Sequence, residues 1–414
     1  MTSPRDRPTA HRPMPPQGRR ALVQVGGAVE TAGEATLAAA LARALAVAPA
    51  EGDATLTHPF HAYPARLHPG TARALVEALA APGAALLDPF CGSGTVLVEG
   101  LARGLAVRGR DLSPLAVELA RIKTRGTTRE ERQAIVREAS RVSAQVRDAL
   151  RAGRAFPAPP SEREWYAPGT LAELAGLRAY TERARGVVRD ALRMLLSSVL
   201  VRVSRQRSET DPRRAEADPP PGAALRLFAA RARELEEGLR ALAEATPRGT
   251  PRAEVLLDDA TALPTVRDAS VDIVITSPPY ANTYDYLHHH TRRYGWLGLD
   301  AGLLERGELG ASRWFTDPEA GARRFGDELS RWLRAMARVL RPGGLCVVVM
   351  ADGAAGDRAL RAELLLAELG AAEGLALKAR ASQARRAYDA VSARAFAAAP
   401  RREHALALAR AQPR

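Results

Sequence analysis

Leu86-Leu87-Asp88-Pro89-Phe90-Cys91-Gly92-Ser93-Gly94-Thr95 is the stretch on which the reading of this chain turns. Residues 84–87 are apolar and form a short buried strand that runs into an acid, Asp88. Gly92 and Gly94 make a tight turn, and 95–103 reads as a helix stopped at Gly104. A glycine turn between a strand and its helix lets backbone N–H groups approach a ligand closely at the carboxyl edge of a sheet. A second strand, 106–109, ends near Asp111-Leu112, with Asp111 lying 23 residues after Asp88. From that place a carboxylate can take both hydroxyls of a ribose. No Gly-Lys-Ser/Thr follows, and two glycines stand where a pyrophosphate cradle carries three. The expected ligand therefore carries a ribose but no essential pyrophosphate.

Working outward, an Ala/Leu pattern at 34–48 and another segment at 70–79 read as helices, and Ser113-Pro114 is a strong helix start. After Lys123 the alternation gives way to a helical stretch, 124–253, with segments near 129–151, 170–203 and 223–244. Pro-rich breaks at 156–160 and 218–221 separate them. Strand-like runs resume at 254–257, at 271–276, at 345–350 after Arg341-Pro342-Gly343-Gly344, and at 404–409. Strands alternating with helices imply an α/β fold, an open and mostly parallel sheet with helices on both faces and a helical insertion. The expected organisation is a Pro- and Arg-rich disordered tail over 1–20, a ligand-binding half over 21–123, the insertion over 124–253, and a second half over 254–414 with a basic end.

The 414 residues, 46 % hydrophobic and 26 % charged, are ordinary globular composition. No apolar run approaches the ~18 residues of a membrane span, and no apolar stretch precedes Arg20, so no membrane or secretory role is expected. Two cysteines, Cys91 and Cys346, exclude a disulfide framework and a cysteine zinc site, which points to the cytoplasm. The net charge of +13 is unevenly spread: residues 1–20 carry +4, 124–253 carry +8 and 378–414 carry +7, while the rest is acidic. The abundance of Arg over Lys matches a GC-rich coding sequence, but that bias does not segregate charge. A polyanion partner does.

The second informative stretch is Asp272-Ile273-Val274-Ile275-Thr276-Ser277-Pro278-Pro279-Tyr280. A hydrophobic strand exits through two prolines, which offer no N–H to compete for acceptors. The Ser277 hydroxyl and the Pro278 carbonyl can then face a substrate amino group, with Pro279 stiffening the exit. Tyr280 offers a flat face on which a base can stack.

Together these stretches resemble the S-adenosylmethionine-dependent amino-methyltransferases of DNA, the N4-cytosine and N6-adenine family. Asp88 to Thr95 is similar to the family's cofactor turn, and Thr276 to Tyr280 to its catalytic motif. His61-Ala62-Tyr63-Pro64-Ala65-Arg66-Leu67-His68-Pro69 resembles the segment that closes over the methionine end. Asp259-Ala260 resembles the acid site that holds the adenine amino group, and Arg341–Gly344 the turn before the fifth strand. The resemblance implies a Rossmann-like methyltransferase fold and S-adenosylmethionine as cofactor. It implies binding residues Tyr63, Pro64, Asp88, Pro89, Phe90, Cys91, Gly92, Ser93, Gly94, Asp111, Leu112, Asp259 and Ala260, and catalytic residues Ser277, Pro278, Pro279 and Tyr280.

It further implies DNA as partner, with the target base flipped from the duplex. A cognate restriction nuclease can accompany such an enzyme, and no residue here names one. Ser before Pro-Pro-Tyr resembles the cytosine-N4 enzymes; N6-adenine and RNA-base N-methylation are the alternatives, and a catalytically silent cofactor-binding protein is the alternative outside the enzymes. Neither cysteine stands in a Pro-Cys context suited to carbon-5 attack.

The remaining eye-catching residues read more plainly. His288-His289-His290 are adjacent, so their side chains diverge, and no metal is expected. Tyr284, Asp285 and Tyr286 line a base pocket or order the loop. Trp165 and Tyr166 read as core. Ser204-Arg205-Gln206-Arg207-Ser208-Glu209-Thr210 is a candidate for contacts to a DNA backbone.

Overall fold

The computed structural model describes residues 28–47, 55–209, 211–214, 218–385 and 390–412. The expected tail, 1–20, lies outside the described residues. The strands are Val29–Gly33 (β1), Ala85–Asp88 (β2), Ala106–Asp111 (β3), Gln206–Ser208 (β4), Asp211–Arg214 (β5), Glu254–Leu257 (β6), Val271–Thr276 (β7), Leu340–Ala351 (β8), Gly353–Ala355 (β9), Arg358–Leu360 (β10), Leu375–Arg385 (β11) and Arg401–Arg410 (β12). Eight of them form one sheet in the order β1-β11-β12-β8-β7-β2-β3-β6. From β8 to β6 every pairing is parallel, whereas β1, β11 and β12 add an antiparallel edge. This is the Rossmann-like methyltransferase architecture expected from the sequence.

Period-two alternation divides the strand side chains between two cores. Ile273 and Ile275 of β7, Val347 and Val349 of β8, and Ala405 and Ala407 of β12 face helices Ala35–Leu45, Pro69–Leu79 and Thr95–Ala102. Val274, Cys346, Val348, Met350, Leu406 and Leu408 face the other way, onto helix Pro318–Val339. That helix starts on Asp317, whose side chain accepts from the Glu319 and Ala320 N–H groups. It buries Phe325, Leu329, Trp332 and Met336, three to four residues apart. The chain passes from β2 outward to β3 and β6, then returns to β7 and β8 on the other side of β2. The carboxyl ends of β2 and β7 are thus the switch point at which such sheets bind ligands.

The helical stretch builds a third core. Helices Arg129–Arg151, Pro168–Thr181, Gly186–Leu200 and Ala223–Ala245 share it with Phe60 and Tyr63, with Leu115 and Leu119 of helix Pro114–Lys123, and with Tyr294 and Trp296 of helix Tyr286–Leu297. The segment expected as one helix over 170–203 is two, because Gly186 takes φ +55°.

One other expectation is corrected. The Arg341–Gly344 stretch is an irregularity inside β8 rather than a turn before it: β8 begins at Leu340, and the register slips between Val271 and Ile273. The basic end is the antiparallel edge of the sheet. Three of its arginines pair with acids of the fold, Arg380 with Glu363, Arg385 with Glu403 and Arg402 with Glu30. Only 404–409 of that edge was legible as strand. β11 carries no strand signal because, beyond Leu375 and Leu377, its residues are Ala, Ser, Lys, Gln and Arg.

Candidate active site

The turn after β2 is shaped by backbone geometry first. Gly94 has φ +80° and caps helix Thr95–Ala102. A Cβ there would sit 3.1 Å from the Ala120 Cβ, so both conformation and space favour glycine. Gly92, at φ +48°, lies under the Tyr63 ring, where a Cβ would come within 3.3 Å. The Cys91 N–H donates to the Arg110 carbonyl at 3.0 Å, tying the turn to β3.

Two carboxylates organise the turn. One Asp88 oxygen accepts from the Phe90 N–H at 3.2 Å and from the Thr276 hydroxyl at 2.6 Å, which joins the turn to the last residue of β7. Asp111 accepts the Gly92 N–H on Oδ2 and the Ser113 N–H on Oδ1, each at 2.8 Å. Each Asp111 oxygen therefore keeps acceptor capacity for one hydroxyl. Burial pushes both acids up, Asp88 to about 7 and Asp111 to about 6, against the hydrogen bonds that hold them down.

Between these acids and β7 opens a cleft enclosing about 840 Å³, part of it continuous with solvent. Asp88, Pro89, Phe90, Cys91, Gly92, Ser93, Asp111, Leu112, Asp259, Ala260, Tyr63, Ser277 and Pro279 all line it. Phe90 also packs edge-on against Trp332, with ring centroids 5.6 Å apart. Pro64 and Pro278 are buried but are not cleft-lining residues, and Gly94 stands behind as the helix cap. Asp259 gives one oxygen to the Thr261 N–H and hydroxyl, both at 2.8 Å. Its neighbour Asp258 bonds Thr265 instead.

The cleft fits a nucleoside with a polar tail. The Ser93 and Thr95 hydroxyls line it, are buried, and have no hydrogen-bond partner among the described residues. Leu67, Val96, Leu112, Leu304 and Leu309 supply apolar walls. Those two orphaned hydroxyls and the two-oxygen acceptor at Asp111 suit the ribose hydroxyls and polar tail of S-adenosylmethionine.

The loop after β7 is pinned on several sides. Tyr280 turns its hydroxyl to Glu403, donating to Oε1 at 3.1 Å, and is not among the cleft-lining residues. Asn282 donates from its backbone to the Gly310 carbonyl at 2.9 Å and from its side chain to the Ala354 carbonyl at 3.0 Å. Tyr286 does line the cleft, lies face-on to Tyr63 at 6.3 Å, and donates its N–H to Glu308 at 2.5 Å. Glu308 and its partner Arg313, 2.8 Å away, were missed by sequence reasoning. They lie in a stretch, 298–316, with no periodicity or motif. Arg66 and Leu67 are cleft-lining too, within the segment expected to close over the ligand.

His290 is buried against Tyr63, with ring centroids 4.9 Å apart, and His288 is exposed; among the described residues no group of side chains could hold a metal. Tyr166 is core, edge-on to Trp296, while Trp165 is capped by the Arg292 guanidinium at 3.5 Å. The 204–209 stretch opens the β4–β5 hairpin. Arg205 pairs with Asp218, and Glu209 with the buried Arg293, both at 2.7 Å. Thr210 lies outside the described residues. No helix among the described residues is long and apolar enough to cross a membrane.

Residues 60–147 match the family model described as UPF0020, the RMKL-like methyltransferase domain. The chain carries an S-adenosylmethionine-dependent methyltransferase domain. Among curated proteins it is 40 % identical over 72 residues to the Type II methyltransferase M.MvaI of Kocuria varians, covering 17 % of this chain and 16 % of that one. It is 46 % identical over 48 residues to the Type II methyltransferase M.BsoBI of Geobacillus stearothermophilus, covering 11 % of this chain and 9 % of that one. The alignments thus span less than a fifth of either relative. Among solved structures, a SAM-dependent methyltransferase from Methanosarcina mazei aligns over 82 % of this chain and 98 % of its own, at 11 % identity and TM-score 0.35. The assignment of the methyltransferase fold rests on the strand order and the matched domain.

Proposed function

We propose that this protein is a site-specific DNA methyltransferase that moves the methyl group of S-adenosylmethionine onto the exocyclic amino nitrogen of a base, N4 of cytosine, in a nucleotide flipped out of the duplex. The observation that carries this reading is that Ser277 and Pro279, at the exit of β7, line the same cleft as Asp111 and the Phe90–Ser93 turn. DNA as the substrate is supported by the likeness to the two Type II methyltransferases.

Bound S-adenosylmethionine supplies a sulfonium methyl group that a nitrogen lone pair can take up. In this reading Asp111 accepts the two ribose hydroxyls and Asp259 the adenine amino group, with the oxygen that Thr261 does not use. Tyr63 and Pro64 belong to the segment over the methionine end. The amino nitrogen of a base is a weak nucleophile because its lone pair is delocalised into the ring. The Ser277 hydroxyl and the Pro278 carbonyl accept its two hydrogens, which favours a tetrahedral nitrogen with a localised lone pair. Holding both reactants in one cleft removes much of the entropic barrier. Thr276 bonded to Asp88 keeps the exit of β7 fixed relative to the turn. Tyr280, next to the cleft-lining Pro279, would meet the base from the loop beside the cleft.

The test is expression in a host lacking DNA methylation, followed by nucleoside mass spectrometry and single-molecule mapping of modified sites. N4-methylcytosine at one sequence context is the expected result. N6-methyladenine alone would overturn the base, and unmodified DNA the activity.

A further inference from the structure

We propose that Glu403, held by Arg385, is a positioning residue that sets Tyr280 in the reacting loop, so that the antiparallel edge of the sheet serves the chemistry as well as the fold. The inference rests on the methyltransferase reading above.

Glu403 lies near the start of β12, opposite Ala351 of β8 and Gln383 of β11, at the edge of the sheet where the cleft opens. Its Oε1 accepts the Tyr280 hydroxyl at 3.1 Å, a contact across 123 residues of sequence. Its Oε2 accepts two guanidinium N–H groups of Arg385, from Nε at 2.9 Å and from Nη2. Arg385 in turn donates from Nη1 to the Gln383 side chain at 2.6 Å. Glu403 and Arg385 are each only 5 % exposed.

A buried ion pair is a weak way to stabilise a sheet, since apolar side chains of like volume often do as well or better. What this pair does that apolar residues could not is to present one carboxylate oxygen, its partner oxygen tied to Arg385, to one phenol. A hydrogen bond to a charged acceptor is roughly twice as strong as one to a neutral acceptor. The Tyr280 ring is thereby held in one orientation before a base arrives, and its ordering entropy is spent at folding rather than at binding. Ser277 is also close enough to influence the phenol, whose acidity is lowered chiefly by burial and next by the Glu403 charge. The same grip therefore bears on the residue that faces the amino group.

The experiment uses the full-length protein, tritiated S-adenosylmethionine and unmethylated genomic DNA as methyl acceptor. Four variants are compared: Tyr280→Phe, Glu403→Leu, the two combined, and Glu403→Gln, whose amide oxygen can still accept the phenol. If Glu403 acts through Tyr280, Tyr280→Phe and Glu403→Leu each lower kcat roughly tenfold with KM for S-adenosylmethionine within about twofold. The combined variant then falls no more than about twofold below the worse single one, because both remove one bond. Glu403→Gln recovers most of the rate.

Multiplicative losses in the combined variant, or Tyr280→Phe at the parent rate, overturn the proposal. Tyr280→Phe leaves the Glu403–Arg385 pair whole, so it decides the matter even if Glu403→Leu fails to fold. A protein inactive on DNA would overturn the proposed function rather than this inference. The inference is then read by NMR on protein carrying 13C at tyrosine Cζ: the Tyr280 resonance, identified by its loss in Tyr280→Phe, shifts in Glu403→Gln if the bond is present and stays in place if it is not.

Discussion

Asp111 is the residue through which pH should reach the ribose of the proposed cofactor. Ribose hydroxyls donate to an ionised carboxylate, and burial holds this one at about 6. Below pH 6 binding must first remove its proton, so affinity for S-adenosylmethionine is level above about pH 6. It falls toward roughly tenfold per pH unit below that value. Calorimetry between pH 5 and 8 checks this, and a flat dissociation constant would detach Asp111 from the ribose. Asp111→Ala should weaken binding by roughly 1–3 kcal/mol and remove the slope.

Asp88 acts on stability with a definite sign. An acid raised to about 7 in the folded protein, against about 4 unfolded, binds its proton more tightly when folded. Its contribution is present below the unfolded value and is lost as pH rises toward 7. Asp88→Asn should therefore flatten the decline of melting temperature between pH 5 and 7, although Asp111 contributes in the same direction. At the catalytic motif, Ser277→Ala should lose most turnover with cofactor affinity nearly intact, because the hydroxyl faces the reacting amino group. Both acids and Ser277 were legible in the sequence, since each ends a recognisable strand. Glu308 and Glu403 were not, because nothing local marks a carboxylate whose partners lie on another element.

At the scale of elements, two glycines separate packing from function. A Cβ on Gly100 would meet Val107 and Leu86 side chains at 2.7 and 2.8 Å, between helix Thr95–Ala102 and the sheet. Gly100→Ala should cost roughly 1–3 kcal/mol of stability by overpacking, and denaturant unfolding with unchanged cofactor affinity would bear that out. A Cβ on Gly353 would meet Ala281, its Cβ at 2.6 Å and its carbonyl oxygen at 2.7 Å. Ala281 follows Tyr280, so Gly353→Ala should push the reacting loop and reduce turnover more than it reduces melting temperature. A parent-like turnover would mean that the loop absorbs the shift. The parallel strands announced themselves as short apolar runs ending in acids. The edge strands did not, because β11 carries small and charged residues in place of the β-branched pattern that marks a strand.

For the whole molecule, the question is where its positive charge goes. Three arginines of the basic end are paired with Glu363, Glu403 and Glu30. The helical stretch then becomes the better candidate for DNA. Arg202 and Arg207 are exposed, whereas Arg205 already serves Asp218. Replacing all three by Gln should weaken DNA binding and lower its salt slope by roughly two, at about 0.9 per phosphate contact, rather than by three. A slope equal to the parent's would place the nucleic-acid surface elsewhere.

The sequence by itself determined the class of fold, the glycine turn, the spaced acid and the Ser-Pro-Pro-Tyr exit. These depend on chain-local chemistry: strand periodicity, the conformations open only to glycine, and the missing N–H of proline. Only the tertiary structure decided that Asp88 is bonded to Thr276 across 188 residues, that Tyr280 is gripped from β12, and that Arg380, Arg385, Arg401, Arg402 and Arg410 bond within the fold. Such pairings depend on which strands become neighbours, and that is set by the packing of three cores together. No window of sequence contains it.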